Sequence, residues 1–337
     1  LGFRQAYRLR LRRKRWRLRA LRKRRELTSV VDRTGAIRRS DLLVCSTFRN
    51  ENLRLPHFLD YYRQMGIGHF IMVDNGSTDG GLEYLSEQPD VSLWTTGASY
   101  KRARFGMDWL NWLLMRHGPG HWCLTVDPDE LFVFPFCDTR PLRALTDWLD
   151  AGSIKSLSAM LLDMYPKGGE SARPYQRGDD PLQIACWFDS GNYTIERNHK
   201  LGNLWIQGGP RARTFFPEEP YHAPALNKIP LVKWDRSCIY DNSTHALLPR
   251  GLNAVFDEWG GEKASGLLLH TKFLGTFAAK AAEEMARGQH YAASREYRAY
   301  ATGGETAEPD LWCPWSETYI NWRQLEILGL MSKGNWA

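Results

Sequence analysis

Apolar and polar positions alternate along the chain in strand-like and helix-like stretches. Residues 41–49, DLLVCSTFR, form a short apolar run with a polar end, which predicts a buried strand. Over 51–65, Leu53, Leu55, Phe58, Leu59, Tyr62 and Met65 recur at helical spacing until Gly66 ends the pattern. A second strand, His69–Val73, runs into Asp74-Asn75-Gly76-Ser77-Thr78-Asp79-Gly80, then a helix at 80–88 and a strand at 91–94. A helix over 102–117 places Phe105, Trp109, Trp112 and Leu113 on one face. The apolar strand 121–126 leads into Asp127-Pro128-Asp129-Glu130, and an apolar run resumes at 131–134. This β-α-β-α-β order predicts an α/β sheet with right-handed crossovers, whose strand carboxyl ends form the ligand edge.

The second half is less regular. A strand over 153–165 reaches Asp163, and a Gly-, Pro- and charge-rich loop at 166–181 suits a lid or an acceptor wall. Short strands are expected at 184–188 and 192–195, and the paired glycines of GGPRAR, 208–213, allow close backbone approach. Strands at 226–234 and 237–249 carry Lys228, Lys233 and His245. LLLHTKF, 267–273, leads into a helix over 274–288 with Phe273, Phe277, Ala281 and Met285 at helical spacing. From 290 onward Tyr291, Tyr297, Tyr300, Trp312, Trp315, Tyr319, Trp322 and Trp336 suit the core of a C-terminal helical region better than a sugar-stacking surface.

Charge separates one more segment. The 337 residues carry a net charge of +7, yet residues 1–40 hold 16 Lys and Arg against Glu26 and Asp32. The rest holds 29 basic and 36 acidic residues and is mildly acidic. Within 1–30, Tyr7, Leu11, Leu18 and Leu21 lie among arginines, with Trp16 between them, which predicts a basic amphipathic helix. Such an arm is expected to lie on an anionic membrane surface with Trp16 at the headgroups. Nucleic acid is the weaker expectation, because no zinc-finger spacing or RNP-type strand accompanies the charge. The organisation is therefore a basic arm at 1–40, an α/β half at 41–150, a second half of the same domain at 151–290, and an aromatic-rich region at 291–337. No run approaches the ~18 apolar residues of a spanning helix. The six cysteines form no CxxC pair and the first residues lack an apolar signal core, so reduced thiols and a cytoplasmic position at the inner membrane face are expected.

The candidate chemistry lies at the predicted strand ends. Asp127 and Asp129, two residues apart, can aim at one point, and a hard divalent cation such as Mg²⁺ or Mn²⁺ takes such oxygens while keeping positions open for phosphates. NGSTDG by itself is a good turn and helix start. Together with a strand-terminal DxDE it points to metal–nucleotide chemistry.

STFRNE at 46–51, VDNGSTDG at 73–80 and LTVDPDELFV at 124–133 resemble, in order and spacing, the GT-A glycosyltransferases. The closest likeness is to the family-2-like bacterial subgroup with RNE, DNGSTD and DxDE motifs. The likeness covers 41–135 well and extends more loosely through GGPRAR and LLLHTKF. It implies a Rossmann-like, mostly parallel mixed sheet flanked by helices. It also implies a nucleotide-sugar donor, most naturally UDP-linked, and a divalent metal. On this resemblance Thr47, Asn50 and Glu51 lie at the base and ribose, Asp74 accepts from the pyrimidine, and Asn75 lines the same pocket. Asp129 ligates the metal directly, and Asp127 serves as metal ligand or ribose contact. Arg102 or Arg104 stands near the diphosphate, Arg211 and Lys272 neutralise phosphate, and His270 completes the metal site. DNGSTD replaces the commoner DDGSTD and keeps the aspartate that matters, Asp74.

The implied reaction is inverting transfer of a hexose to a hydroxyl of a surface glycan or lipid-linked acceptor, with a carboxylate as base. Glu218 and Asp163 are the leading base candidates beside Asp189 and Glu219, and the sequence does not separate them. The alternatives are a nucleotidyltransferase that makes the nucleotide sugar, opposed by the absence of glycine in STFRNEN, and a non-catalytic basic-armed binding protein. A dinucleotide oxidoreductase is disfavoured, since no GxGxxG follows an early strand.

Overall fold

A computed structural model describes residues 2–168, 174–255, 263–275 and 310–336. In chain order the strands are β1 (Thr28–Val31), β2 (Leu42–Phe48), β3 (Ile67–Asp74), β4 (Val91–Thr95), β5 (Trp122–Thr125), β6 (Glu130–Val133), β7 (Ser156–Asp163), β8 (Trp187–Asp189), β9 (Tyr193–Asn198), β10 (Asn203–Gly208), β11 (Asn227–Lys233), β12 (Ile239–Tyr240), β13 (Leu247–Leu248), β14 (Gly266–His270) and β15 (Ser316–Thr318). The helices are α1 (Phe3–Lys23), α2 (Leu55–Gln64), α3 (Gly81–Ser86), α4 (Met107–His117), α5 (Leu142–Ala151), α6 (Gly209–Phe215) and α7 (Trp322–Ile327).

Nine strands form one mixed sheet in the order β1-β4-β3-β2-β5-β11-β7-β14-β6. Strands β4, β3, β2 and β5 are mutually parallel, and β7 and β14 share their direction. β1, β11 and β6 run the other way. The fold is thus a large mixed α/β sheet flanked by helices, compatible with a Rossmann-like architecture.

Every residue of β2 is buried, because both faces of the sheet are covered. The two-residue period assigns alternate side chains to different layers. Leu42, Val44, Phe70 and Met72 pack with Phe58 and Leu59 of α2 and Leu145 of α5. Leu43, Cys45, Ile71 and Val73 pack with Trp109, Leu113 and Leu114 of α4. Trp109, Trp122 and Trp234 are among the fully buried side chains. Truncating such an aromatic typically costs about 3–5 kcal/mol.

Several expectations need correction. The arm does not extend to residue 40: β1 adds an antiparallel edge strand beside β4. The close backbone approach expected of the paired glycines in GGPRAR does hold: Gly208, which precedes helix α6, would place a Cβ 2.0 Å from the Asn192 carbonyl oxygen at φ +135°. The run 237–249 is no continuous strand but the short pair β12 and β13 around a turn. The helix over 102–117 begins only at Met107, after Arg104, Phe105 and Gly106 all take left-handed backbone. Residues 276–288 of the helix expected over 274–288, and Tyr291, Tyr297 and Tyr300, lie outside the described residues; Phe273 and Leu274 just before them are buried. Of the described C-terminal aromatics, Trp322 and Trp336 join the main core, packing on Phe136 at ring separations of 4.6 and 5.5 Å, whereas Trp312 packs with Tyr165 and Phe273 and Trp315 is exposed.

The arm is a docked helix. Leu9 and Trp16 pack with Met115, Ile239, Ala246 and Leu248, and Ala20 is fully buried. Arg12 Nε lies 2.6 Å from Asp241, and Arg19 Nε lies 2.6 Å from the buried Asp108. Trp16 therefore turns inward, donating to Asp241 at 2.6 Å, and does not face outward as its sequence context suggested. No described helix is long and apolar enough to cross a membrane.

Candidate functional site at the carboxyl edge of the sheet

The parallel strands β2, β3, β5, β7 and β14 end on one edge, and the antiparallel β6 and β11 begin there. That topology gathers Phe48, Asp74, Thr125, Asp163 and His270 from strand ends, and Glu130 and Lys228 from strand starts.

On the β2–β3 side, side chains bond to backbone. Asp74 is fully buried and accepts from the amides of Gly76 and Ser77 at 3.1 and 3.0 Å and from the Thr95 hydroxyl at 2.9 Å. Asn75 Nδ2 donates to the Thr96 and Ala98 carbonyls, both at 3.0 Å. Asn50 Oδ1 accepts from the Thr78 amide at 2.8 Å, and Arg49 Nη1 donates to the carbonyls of Asn75 and Gly76 at 2.8 and 2.7 Å. NGSTDG is thus stitched to the end of β2. Asp74 shapes that loop and presents no carboxylate oxygen to solvent, unlike the base-contacting aspartate the motif implied.

Thr47 lies between the two sides. Its hydroxyl and that of Thr244 have no hydrogen-bond partner among the described residues. Both line a cavity of about 30 Å³, which Asp127 and Lys228 also border. Gly106 packs closely on Thr47: a Cβ there would meet Thr47 Oγ1 at 2.9 Å. Buried orphan hydroxyls call for a polar guest, and the space fits about one water.

On the β5–β7–β14 side, charged groups meet charged groups. His270 is buried, with Nδ1 at 2.7 Å from Asp163 and Nε2 at 3.3 Å from Asp129. Arg211 Nε holds the second Asp163 oxygen at 2.7 Å. Burial alone would lower the His270 pKa, but Asp129 and Asp163 outweigh it and raise it to about 9. For Asp163, burial opposes ionisation, but Arg211 and His270 prevail and hold the pKa at about 2. Asp163 is therefore no poised general base; it positions His270. The other buried candidate, Asp189, is held by Arg213 at 2.8 Å and by Tyr165. Glu219 lies 3.2 Å from His222. Glu218 is exposed in the turn after α6.

Asp127 is half-exposed, 3.3 Å from Lys228, whose ammonium also contacts Glu130. Glu130 is buried and accepts from the Asp127 amide at 3.2 Å, fixing the DPDE turn. Burial raises its pKa to about 7, with Lys228 pulling the other way. His245 is half-buried, desolvation pushes its pKa down to about 4, and its Nδ1 lies 2.5 Å from the Asn227 carbonyl. Lys272, just past His270, is half-buried at the rim.

Two residues escaped the sequence reading. Lys228 was visible only as an embedded lysine. Arg54 lies in the α2 entry and is buried, with Nη2 2.8 Å from the Thr271 carbonyl and Nη1 3.2 Å from Glu51. Tyr175, from the predicted lid loop, lies 5.8 Å from its guanidinium. A buried cation near the acidic DPDE turn is a detectable signal only once α2 is known to pack there.

Arg104 is not at this cluster. Its Nε pairs with Asp108 at 2.8 Å, its Nη1 donates to the Asp241 carbonyl at 3.0 Å, and it stacks 4.1 Å over Trp16. Neighbouring Arg102 is exposed, and its carbonyl accepts from Arg19. Beyond Lys228 a larger cavity of about 670 Å³ is lined by Ser158, Tyr193, Asn203, Asn227 and Glu326 among others.

Among the described residues no set of three His, Cys, Asp or Glu side chains is arranged as a ready metal site. Asp129 and His270 are two donors of the right chemistry, and a carboxylate on the far imidazole nitrogen is the usual way to orient a metal-binding histidine. No family model matches this chain, and no curated protein matches it.

Proposed function

We propose that the protein is a metal-dependent glycosyltransferase of the GT-A type, moving a sugar from a nucleotide-sugar donor, most naturally UDP-linked, to a hydroxyl of a glycan or glycolipid. The observation that carries the reading is the Asp129–His270–Asp163–Arg211 chain, set beside the DPDE turn at the carboxyl edge of an α/β sheet. Asp129 and His270 would hold Mn²⁺ or Mg²⁺, with Asp127 at its border, and the remaining positions would go to water and the diphosphate. The metal would supply neutralisation of charge on the leaving diphosphate.

The chain's own residues perform the rest. Asp163 holds His270 by Nδ1, leaving Nε2 aimed at Asp129, and Arg211 keeps Asp163 ionised. Lys228 and Glu130 fix Asp127 and the turn that carries Asp129. To bind metal His270 gives up its proton, so the cluster gains one net positive charge rather than two. The β2–β3 loop would border the donor's nucleoside, and Thr47 and Thr244 would hold a water behind it. Glu218, exposed after α6, is the base candidate left by the engagement of Asp163 and Asp189.

The test is thermal unfolding with UDP, GDP, CMP or ADP, each with Mn²⁺, Mg²⁺ or EDTA. One nucleotide should raise the midpoint only with metal, by about 2.7 kcal/mol of stability at 100 times its dissociation constant. The shift should vanish in Asp129→Asn. A flat response to all four nucleotides would sink the reading. Pyrophosphate release from a nucleoside triphosphate would favour nucleotide-sugar synthesis instead.

A further inference from the structure

Helix α1 has two apolar faces, and the body covers only one. Leu9, Trp16 and Ala20 share the covered face. At 100° per residue, Phe3, Tyr7, Leu11, Leu18 and Leu21 fall on the opposite side. All five are exposed, from 40% for Leu21 to 86% for Phe3. Exposed Arg4, Arg8, Arg10, Arg15, Arg17 and Arg22 flank this stripe, and the helix contains no acidic residue. Arg12 and Arg19, which do have acidic partners, point toward the covered side.

We infer that the outward face of α1 is a docking surface for an anionic lipid bilayer, an inference that does not depend on the glycosyltransferase reading. Charge complementarity selects the occupant. Phosphate-rich lipid headgroups match arginines on both flanks, and the acyl boundary beneath them takes the apolar stripe, which exposed Lys14 interrupts and from which its long side chain can reach the headgroups. A nucleic acid would satisfy the arginines and leave five hydrophobic side chains in water. A second copy of the same face would oppose arginine to arginine. The helix is also fixed relative to the cleft. Asp241, which holds Trp16 and Arg12, begins the turn carrying Ser243 and Thr244, and these border the small cavity beside Asp127. The bilayer therefore sets the orientation of the sheet edge, whereas a loose tail would only tether it.

The test is co-sedimentation of the full chain with vesicles of phosphatidylcholine alone and of phosphatidylcholine containing phosphatidylglycerol. Binding is expected only to the anionic vesicles and should weaken with added salt. In Leu11→Asp/Leu18→Asp it should fall about tenfold or more. Both leucines are exposed, so an unchanged unfolding midpoint shows that the covered face remains docked. Arg10→Gln/Arg17→Gln should weaken binding with a shallower salt dependence. Anionic-vesicle binding unchanged in the leucine variant overturns the inference, as does equal binding to both vesicle types. Tighter binding to duplex DNA than to the vesicles in the same buffer also overturns it. So does a wild-type dimer that the leucine variant converts to monomer without any vesicle binding.

Discussion

The two sides of the sheet's carboxyl edge solve different problems. On the β2–β3 side Asp74, Asn75 and Asn50 bond to amides and carbonyls 2 to 28 positions away. On the β5–β7–β14 side Asp129, Asp163, Arg211 and His270 meet across 48 to 141 positions of sequence. Local pairing gives a rigid loop of fixed shape with neutral reach. Long-range pairing of charges concentrates electrostatic energy where each partner depends on the rest. The first side is suited to cradle and the second to do chemistry.

Substitutions should separate the two sides by size. The largest effect is expected for Arg211→Met, which leaves Asp163 ionised and buried without its guanidinium. The cost should be about 3–5 kcal/mol in urea unfolding, and a loss below about 1 kcal/mol would show that the cluster is not energetically coupled. Next comes Asp129→Asn, expected to lower sugar transfer by roughly 10²–10³-fold while leaving the unfolding midpoint within a few degrees. Near-wild-type turnover would remove Asp129 from the chemistry.

A pH series tests the same side without mutation. The Asp163 pKa falls from 3.8 to about 2, so its contribution is present above pH 3.8 and is lost as the pH drops through about 2. The His270 pKa rises from 6.5 to about 9, so its contribution is full below pH 6.5 and is lost as the pH climbs through about 9. Metal-free protein should therefore be most stable between these limits, with the acid limb worth about 2 kcal/mol and the alkaline limb about 3 kcal/mol. His270→Gln should lack the alkaline limb; an unchanged limb would assign it to another group. The smallest effect is expected for Asp74→Asn, about 1 kcal/mol, since an amide oxygen retains part of the acceptor set. Its metal-dependent nucleotide response should persist, and loss of nucleotide binding with the fold intact would restore Asp74 as a direct base contact.

The same contrast explains what could be read in advance. The helical spacing of α2 and the runs of β2, β3 and β5 were legible because each is a local pattern that both-face burial enforces. DPDE was legible because its carboxylates are adjacent in sequence. Arg54 and Lys228 were not, since a buried cation in a helix entry or an apolar strand carries no local signature. Asp163 was legible as a strand end, but its role was not. Whether a carboxylate is a free base or an ion-paired support depends on Arg211 and His270, which only β14 and α6 bring to it.

The arm shows the division most plainly. A strongly basic helix within residues 1–30 was legible in the residue pattern, with Tyr7, Leu11, Leu18 and Leu21 among the arginines. It also contained Leu9, Trp16 and Ala20 at equally helical spacing, so two faces were available to bury. Only the tertiary structure decided between them, because the choice rests on Asp108 and Asp241, 89 and 225 positions away from Arg19 and Trp16. Periodicity fixes which side chains share a face. Which face is covered depends on where the rest of the chain places complementary charge and apolar surface.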